Sequence, residues 1–253
     1  MGTEISKTQI DRLGDRLRKG NITDSDLRLL DEYRRLFTDA YGIVAGGIRR
    51  QLDLEPTGRP AKSTTSIAEK LRRESIRLSQ IQDIAGCRLV VSDTAEQDRV
   101  IAALEQLFPN SNVIDRRAKP SHGYRAVHII AQSQYKAVEI QVRTTLQQLW
   151  AELSEKLSDL LDPAIKYGGG DESIKELLAE ASKTIAKLEK VELDLKAQQH
   201  LSSLGSEVDL TQDSSEVTMN LQIKLALLQE TRQMLINLLQ SAIEDPAGLL
   251  EEE

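Results

Sequence analysis

Aromatic residues are scarce: Phe, Trp and Tyr together make up 3% of the 253 residues, with a single tryptophan, Trp150. There is one cysteine, Cys87, so no internal disulfide can form. Cys87 sits in a strand-like apolar run, which fits a buried inert thiol better than a reactive one. Three histidines and one cysteine offer no zinc spacing. No apolar run approaches the ~18 residues needed to cross a bilayer. The stretch from Met1 to Lys19 is polar and charged, with no signal-peptide core. The expectation is a cytoplasmic protein without membrane spans.

What is present is ordinary for a soluble globular chain: 40% apolar and 29% charged residues. The length suits one medium domain with an appendage, or two small domains. Net charge is −7 but unevenly spread. Residues 58–145 hold fourteen Lys and Arg against nine Asp and Glu, a balance of +5 that leaves −12 elsewhere. The island is either a solvated face or a pocket for polyanions such as nucleotide phosphates.

The first ~55 residues read as helix, with N-cap chemistry at Thr23-Asp24-Ser25-Asp26 and apolar residues at three- and four-residue spacing from Leu27 to Leu52. Pro56-Thr57-Gly58-Arg59-Pro60 breaks it, and Ser63 to Leu78 reads as a second helix. Strand and helix then alternate: Arg88–Val91 as strand, a helix capped at Asp93/Thr94 and running to Leu107, a turn at 109–112, and a strand beginning at Val113. A hairpin follows, Arg125–Gln132 and Lys136–Val142 joined by Ser133-Gln134-Tyr135, and then a helix from Thr144 to about Leu161. After a break at Pro163–Gly170, helical stripes at 174–195 and 219–243 flank a polar loop from Ser202 to Glu216. The acidic end, Glu251-Glu252-Glu253, is expected to be solvated. The predicted class is α/β (α+β), a mixed sheet flanked by helices. Its parts are an N-terminal helical segment (1–56), a core (57–162) and a C-terminal helical hairpin (171–253). The hairpin is expected to pack on the core, form a homo-oligomer or dock a regulatory partner.

Chemistry concentrates in two strands. Gly123-Tyr124-Arg125-Ala126-Val127-His128 and Glu139-Ile140-Gln141-Val142-Arg143-Thr144 alternate apolar with polar residues. One face therefore carries His128, Glu139, Gln141 and Arg143, with Tyr124 near a turn. A carboxylate, a histidine, two arginines and an aromatic ring together suggest phosphate handling. Upstream, Lys62, Ser66, Lys70 and Arg73 recur at helical spacing near a helix N-terminus. They form either a triphosphate cradle or a solvated basic face. The segment is not a Walker A motif, because no glycine-rich loop precedes Lys62-Ser63. Asp83 lies just before a strand, and Gly86 permits close backbone approach. Asp83 and Glu139, two carboxylates in one sheet inside a basic island, suit Mg²⁺, which binds few protein carboxylates and keeps waters. Tyr124 either stacks on a base or closes a core edge, and His128 either contacts phosphate or is a satisfied strand histidine.

Taken in order, Lys62…Ser66-Ile67…Lys70-Leu71…Arg73, Asp83-Ile84-Ala85-Gly86-x-Arg88, Gly123-Tyr124-Arg125-x-x-His128 and Glu139-Ile140-Gln141-x-Arg143-Thr144 resemble the synthetase domain of RelA/SpoT-type nucleotide pyrophosphokinases, in the compact form called small alarmone synthetases. The resemblance covers roughly residues 40–160. It implies a nucleotidyltransferase-like sheet and transfer of the β,γ-pyrophosphate of ATP to a ribose 3′-hydroxyl. The usual acceptor is GDP or GTP, giving ppGpp and pppGpp. By position it gives Lys62, Ser66, Lys70 and Arg73 to the ATP phosphates, with Arg59 and Arg88 at the adenine. Mg²⁺ falls to Asp83 and Glu139, the latter also near the acceptor hydroxyl. Tyr124 would stack on the acceptor base, with Arg125, His128, Lys119, Gln141 and Arg143 around the acceptor.

The chain departs from the family pattern in three places. Arg59 lies one residue further from Lys62 than the family's arginine. Lys119 lies one residue further from Tyr124 than the family's lysine, with Pro120 in its place. Trp150-Ala151-Glu152-Leu153-Ser154-Glu155 lacks the family's histidine. No histidine–aspartate pair of the family's hydrolase domain precedes the synthetase region, so alarmone hydrolysis is not expected. Two alternatives accompany the guanine-nucleotide reading. One is pyrophosphorylation of the 3′ end of tRNA, for which Arg116, Arg117 and Lys119 would suit an RNA tail. The other is a non-catalytic nucleotide-binding module.

Overall fold

The structure, a computed structural model, describes residues 5–205 and 212–248. The elements run α1 (Lys7–Lys19), α2 (Asp24–Leu52), β1 (Thr57–Arg59), α3 (Thr64–Arg73), β2 (Ala85–Val91), α4 (Thr94–Leu107), β3 (Asn112–Asp115), β4 (Val127–Ser133), β5 (Lys136–Thr144), α5 (Thr145–Leu160), α6 (Glu172–Gly205) and α7 (Gln212–Glu244). Short 3₁₀ turns occur at Leu78–Gln80 and Ile165–Tyr167. Chain contacts define two compact units. The first comprises Met1–Leu89, Arg99–Asp115 and Val127–Val142; the second comprises Val90–Asp98, Arg116–Ala126 and Arg143–Glu253. No helix among the described residues is long and apolar enough to cross a membrane.

In the first unit the predicted N-terminal helix is two helices. Ser6 and Gln9 form a capping box at the start of α1, and Gly20 closes it in the left-handed conformation (φ 76°). Thr23 and Asp26 form a second capping box that starts α2, and Arg16 reaches Asp26 at 2.6 Å to tie the helices together. α3 begins where expected, with Ser63 accepting from the Ser66 amide, but stops at Arg73, five residues short of the predicted Leu78. The carbonyls that a longer helix would use are taken elsewhere: Arg18 Nε donates to the Leu71 carbonyl and Arg18 Nη2 to that of Ile76. Glu74 accordingly turns extended.

The sheet order is β1-β2-β5-β4-β3, with antiparallel pairs β1/β2, β3/β4 and β4/β5. Gly86 of β2 lies against Glu139 of β5, and Thr145 Oγ1, just after β5, donates to the Val91 carbonyl at the end of β2. Both strands therefore run the same way and the sheet is mixed. The supposed break at 57–59 is a strand, β1. Its prolines sit just outside it, at an edge where a missing amide costs no ladder bond. The Gly86 backbone leaves no room for a side chain on Gly58, where a Cβ would lie 2.3 Å from the Gly86 carbonyl oxygen. The predicted hairpin is present. Its turn places Gln134 and Tyr135 at φ 48° and 60°, the two left-handed positions of a type I′ turn, without glycine or asparagine. Leu30, Ile48, Ile67, Leu71, Ile84, Ile129 and Ile140 are fully buried. Cys87 is buried too, and burial pushes its thiol up to about 12, as an inert cysteine requires.

In the second unit, α5 starts with a capping box between Thr144 and Gln147. Its apolar residues Leu149, Trp150, Leu153 and Leu157 join Ile174, Leu178 and Ile185 of α6 and Leu239 and Ala242 of α7 in one core cluster. The helical stripes of the tail are thus real helices, longer than predicted. Helix occupies 202–205 and 212–216 of the supposed polar loop, while 206–211 and the acidic end 251–253 lie outside the described residues.

Candidate active site

The alternation read in the sequence appears in the burial of the strands. Along β2, Gly86 and Arg88 are half-buried between buried neighbours; along β5, Glu139 and Gln141 are; on β4, His128 is. A Cβ placed on Gly86 would lie 3.6 Å from that of Glu139, so these positions share one face of the sheet.

On that face Glu139 is held from both sides. His128 Nδ1 meets its Oε1 at 2.8 Å, and Gln141 Nε2 donates to its Oε2 at 2.8 Å. Burial pushes the Glu139 carboxyl up, but His128 and Gln141 outweigh it and leave the group below its ordinary range. The charge of Asp83 pushes in the opposite direction, so the two carboxylates feel one another. Asp83 is clamped by two cations: Lys62 Nζ to Oδ2 at 2.6 Å and Lys70 Nζ to Oδ1 at 2.9 Å. Burial raises its carboxyl as well, and the two ammonium groups bring it below the usual value.

The Lys62 amide donates to the Ile84 carbonyl at 2.7 Å, which fixes the start of the α3 segment beside the strand that follows Asp83. The rest of the cationic row sits on α3. Ser66 is half-buried at the first turn, its hydroxyl 2.8 Å from that of Ser63. Arg73 reaches Glu74 at 3.0 Å at the far end. Arg59 is exposed on the edge strand β1, and Arg88 lies on the same face as Gly86. The structure therefore brings together Lys62, Lys70 and Asp83, and likewise His128, Glu139 and Gln141, with both carboxylates ionised and within electrostatic reach.

Tyr124, Arg125, Lys119 and Arg143 belong to the second unit. Arg143 breaks the alternation of β5: it is 4% exposed. Its Nη2 donates to the Tyr124 hydroxyl and its Nη1 to Gln148 Oε1, both at 2.9 Å, and its guanidinium stands 5.0 Å from the Tyr124 ring centre. Arg143 thus holds Tyr124 instead of standing open to a phosphate. Arg125 is similarly engaged. Its Nε donates to Ser182 Oγ at 3.1 Å and its Nη1 to the Arg117 carbonyl. Arg117 itself meets Asp98 at 2.6 Å. Lys119 is exposed. The turn carrying Tyr124 is tight: the Tyr124 amide donates to the Ser121 carbonyl at 2.9 Å, with His122 and Gly123 between them at φ 51° and 87°. His122, in the loop that sets Lys119 one residue further from Tyr124, is one of the two left-handed positions of this turn.

No local pattern in the sequence marks the lysine clamp on Asp83, the burial of Arg143 or the contacts of α6 with Arg125. The only signal for the last was Ser182, a serine placed among Leu178, Ala181 and Ile185 on an apolar helical stripe.

A family model described as a region found in RelA / SpoT proteins matches residues 58–158. The GTP pyrophosphokinase YjbM of Bacillus subtilis is 32% identical over 151 residues, 53% of this chain and 67% of that protein. An uncharacterised protein of Mycobacterium tuberculosis is 37% identical over 130 residues, and the match spans only 46% of that relative's length. Among solved structures, the small alarmone synthetase 1 from Bacillus subtilis superposes with a TM-score of 0.51 at 28% identity, covering 70% of this chain and 98% of that one. A GTP pyrophosphokinase family protein from Streptococcus pneumoniae shares the fold, with a TM-score of 0.52 at 23% identity over 70% of this chain and 95% of that one. The sheet, the ordered motifs and these likenesses agree: the chain belongs to the RelA/SpoT family, with the small alarmone synthetases as relatives of known structure.

Proposed function

We propose that the protein is an ATP:nucleotide 3′-pyrophosphokinase whose acceptor is GDP or GTP. The observation that carries the reading is the carboxylate pair: Asp83 clamped by Lys62 and Lys70, and Glu139 oriented by His128 and Gln141, each ionised although half-buried. A purely structural sheet gains nothing from two half-buried carboxylates that raise one another's energy. The acceptor class is supported by the relative named as a GTP pyrophosphokinase.

In the reaction, the acceptor's 3′-oxygen attacks the β-phosphorus of ATP. A new O–P bond forms, the α,β-bridging bond breaks and AMP leaves. Such transfers depend on positioning and charge more than on covalent help from the protein. Lys62, Ser66, Lys70 and Arg73 would hold the triphosphate. The two lysines turn from Asp83 to the more highly charged phosphates, which frees the Asp83 oxygens. The donor set fits Mg²⁺: two carboxylate groups, with the rest of the shell left to water and phosphate. When bound there by Asp83 and Glu139, Mg²⁺ would neutralise charge developing on the transferred group. Glu139, ionised at neutral pH and near the acceptor hydroxyl by the family's pattern, receives or orients the departing proton. Tyr124 is the platform for the acceptor base.

Purified protein with γ-labelled ATP and Mg²⁺, offered GDP, GTP or bulk tRNA, tests this. Label is expected in the guanine nucleotides. Label in tRNA alone would replace the acceptor, and label in neither would overturn the enzyme reading. Glu139→Gln should lower kcat by roughly 100-fold or more with the thermal midpoint little changed.

A further inference from the structure

Helix α6 lies outside residues 58–158, the stretch that the family model matches, yet it grips the turn that presents Tyr124. Ser182 is 2% exposed. Its hydroxyl donates to the Gly123 carbonyl at 2.6 Å and accepts from Arg125 Nε at 3.1 Å, so both its hydrogen-bonding capacities serve one turn. Gly123 has no room to spare: a Cβ there would lie 2.7 Å from Trp150 Cζ2 and 3.4 Å from Ser182 Cβ. Trp150 is itself fixed to α6, its Nε1 donating to the Leu178 carbonyl at 2.8 Å. His122, a non-glycine residue at positive φ, is costly to hold and persists where its surroundings over-determine it. Here α6 supplies that determination on one side, and Arg143 supplies it at the Tyr124 hydroxyl.

We propose that Ser182 is a positioning residue for acceptor binding: by tying Gly123 and Arg125 to α6 it sets the place of the Tyr124 ring. The inference rests on the acceptor reading above and deepens it. The C-terminal helices are then part of the acceptor site's framework. Displacing α6 changes acceptor affinity selectively and leaves the ATP phosphate contacts of Lys62 and Lys70 alone.

The test uses the full chain. In Ser182→Ala, a buried carbonyl and a guanidinium N–H lose their partner. The KM for GDP or GTP should rise by roughly tenfold, with the KM for ATP within about twofold of wild type. Trp150 is the only tryptophan, so its emission reports the same seam without any turnover. Its quenching by acrylamide should increase in Ser182→Ala. Arg125→Lys keeps the charge and loses the Nε donor, and should reproduce the acceptor-selective defect. Thermal unfolding of each variant identifies any that fails to fold. An unchanged acceptor KM in both folded variants overturns the inference, as does an equal loss for ATP and acceptor. If wild-type protein transfers to no nucleotide, the functional reading falls instead. Trp150 quenching then decides alone: greater exposure in Ser182→Ala upholds the clamp, and no change removes it.

Discussion

Tyr124 owes its position to Arg143, which gives the ring a hydrogen bond at its hydroxyl and a cation over it, 5.0 Å from its centre. This separates two properties of one side chain, its surface for stacking and its anchorage. Tyr124→Ala removes both and should raise the acceptor KM about 5- to 150-fold, in line with base–aromatic stacking of ~1–3 kcal/mol, with the KM for ATP unchanged. Tyr124→Phe keeps the ring and loses the anchor, so steady-state kinetics should place it between wild type and Tyr124→Ala. Equal effects of both variants on ATP would remove Tyr124 from acceptor binding. At this scale the strand face was legible because period-2 alternation is written into Glu139-Ile140-Gln141 and Val127-His128-Ile129. Arg143 has the same parity and was read onto the same face. Its burial depends on Tyr124 and Gln148, partners brought in by tertiary structure, which no local pattern contains.

At the scale of elements, α3 is braced at both ends. Arg34 donates to Thr64 Oγ1 at 2.8 Å at its start, and Arg18 takes the Leu71 and Ile76 carbonyls at its end. Arg18→Ala should cost about 1–2 kcal/mol in denaturant unfolding, because it leaves carbonyls at the helix end without their charged donor. On the proposed reading it should also weaken ATP use, since α3 carries Lys70 and Arg73. Helix α6 is tied in by two carboxyls with opposite pH behaviour. Burial pushes Asp93 up from 3.8, but the Lys196 ammonium at 2.7 Å and the Glu96 amide bring it down to about 2. A folded value below the unfolded one gives stability that is present above about pH 4 and is lost as pH falls toward 2. Burial instead raises Glu189 above its ordinary 4.5, against the pull of its bonds from Thr144 and Gln147. Its effect therefore runs the other way, and stability falls as pH rises above 4.5 through the raised value. Melting profiles against pH should show the acid limb flattened in Asp93→Asn and the loss above pH 4.5 absent in Glu189→Gln. Helix existence was readable from apolar spacing and caps. β1 was not, because Pro56, Gly58 and Pro60 spell a break locally, and only pairing with β2 makes the segment a strand.

At the scale of the whole chain, the tail is not an appendage to α5. Trp150, Leu153 and Leu157 share a core with Ile174, Ile185 and Leu239. Ending the chain after Gly170 should therefore expose a contiguous apolar face, read as dye binding and light scattering at concentrations where the full chain stays dispersed. A truncated protein that remains monomeric and dye-free would show that α5 is stable without the tail. Charge is the other property set at this scale. The chain is −7 overall with a +5 region at 58–145, which reads as a strong attraction for polyanions. The clamp on Asp83 shows where part of that charge already goes. Two of the cations proposed for the triphosphate share one carboxylate, which offsets one of their two charges from within. On the proposed reading, filling the site exchanges one set of ion pairs for another and releases fewer ions to the solvent than a count of lysines and arginines suggests. Nucleotide affinity should accordingly depend only shallowly on ionic strength.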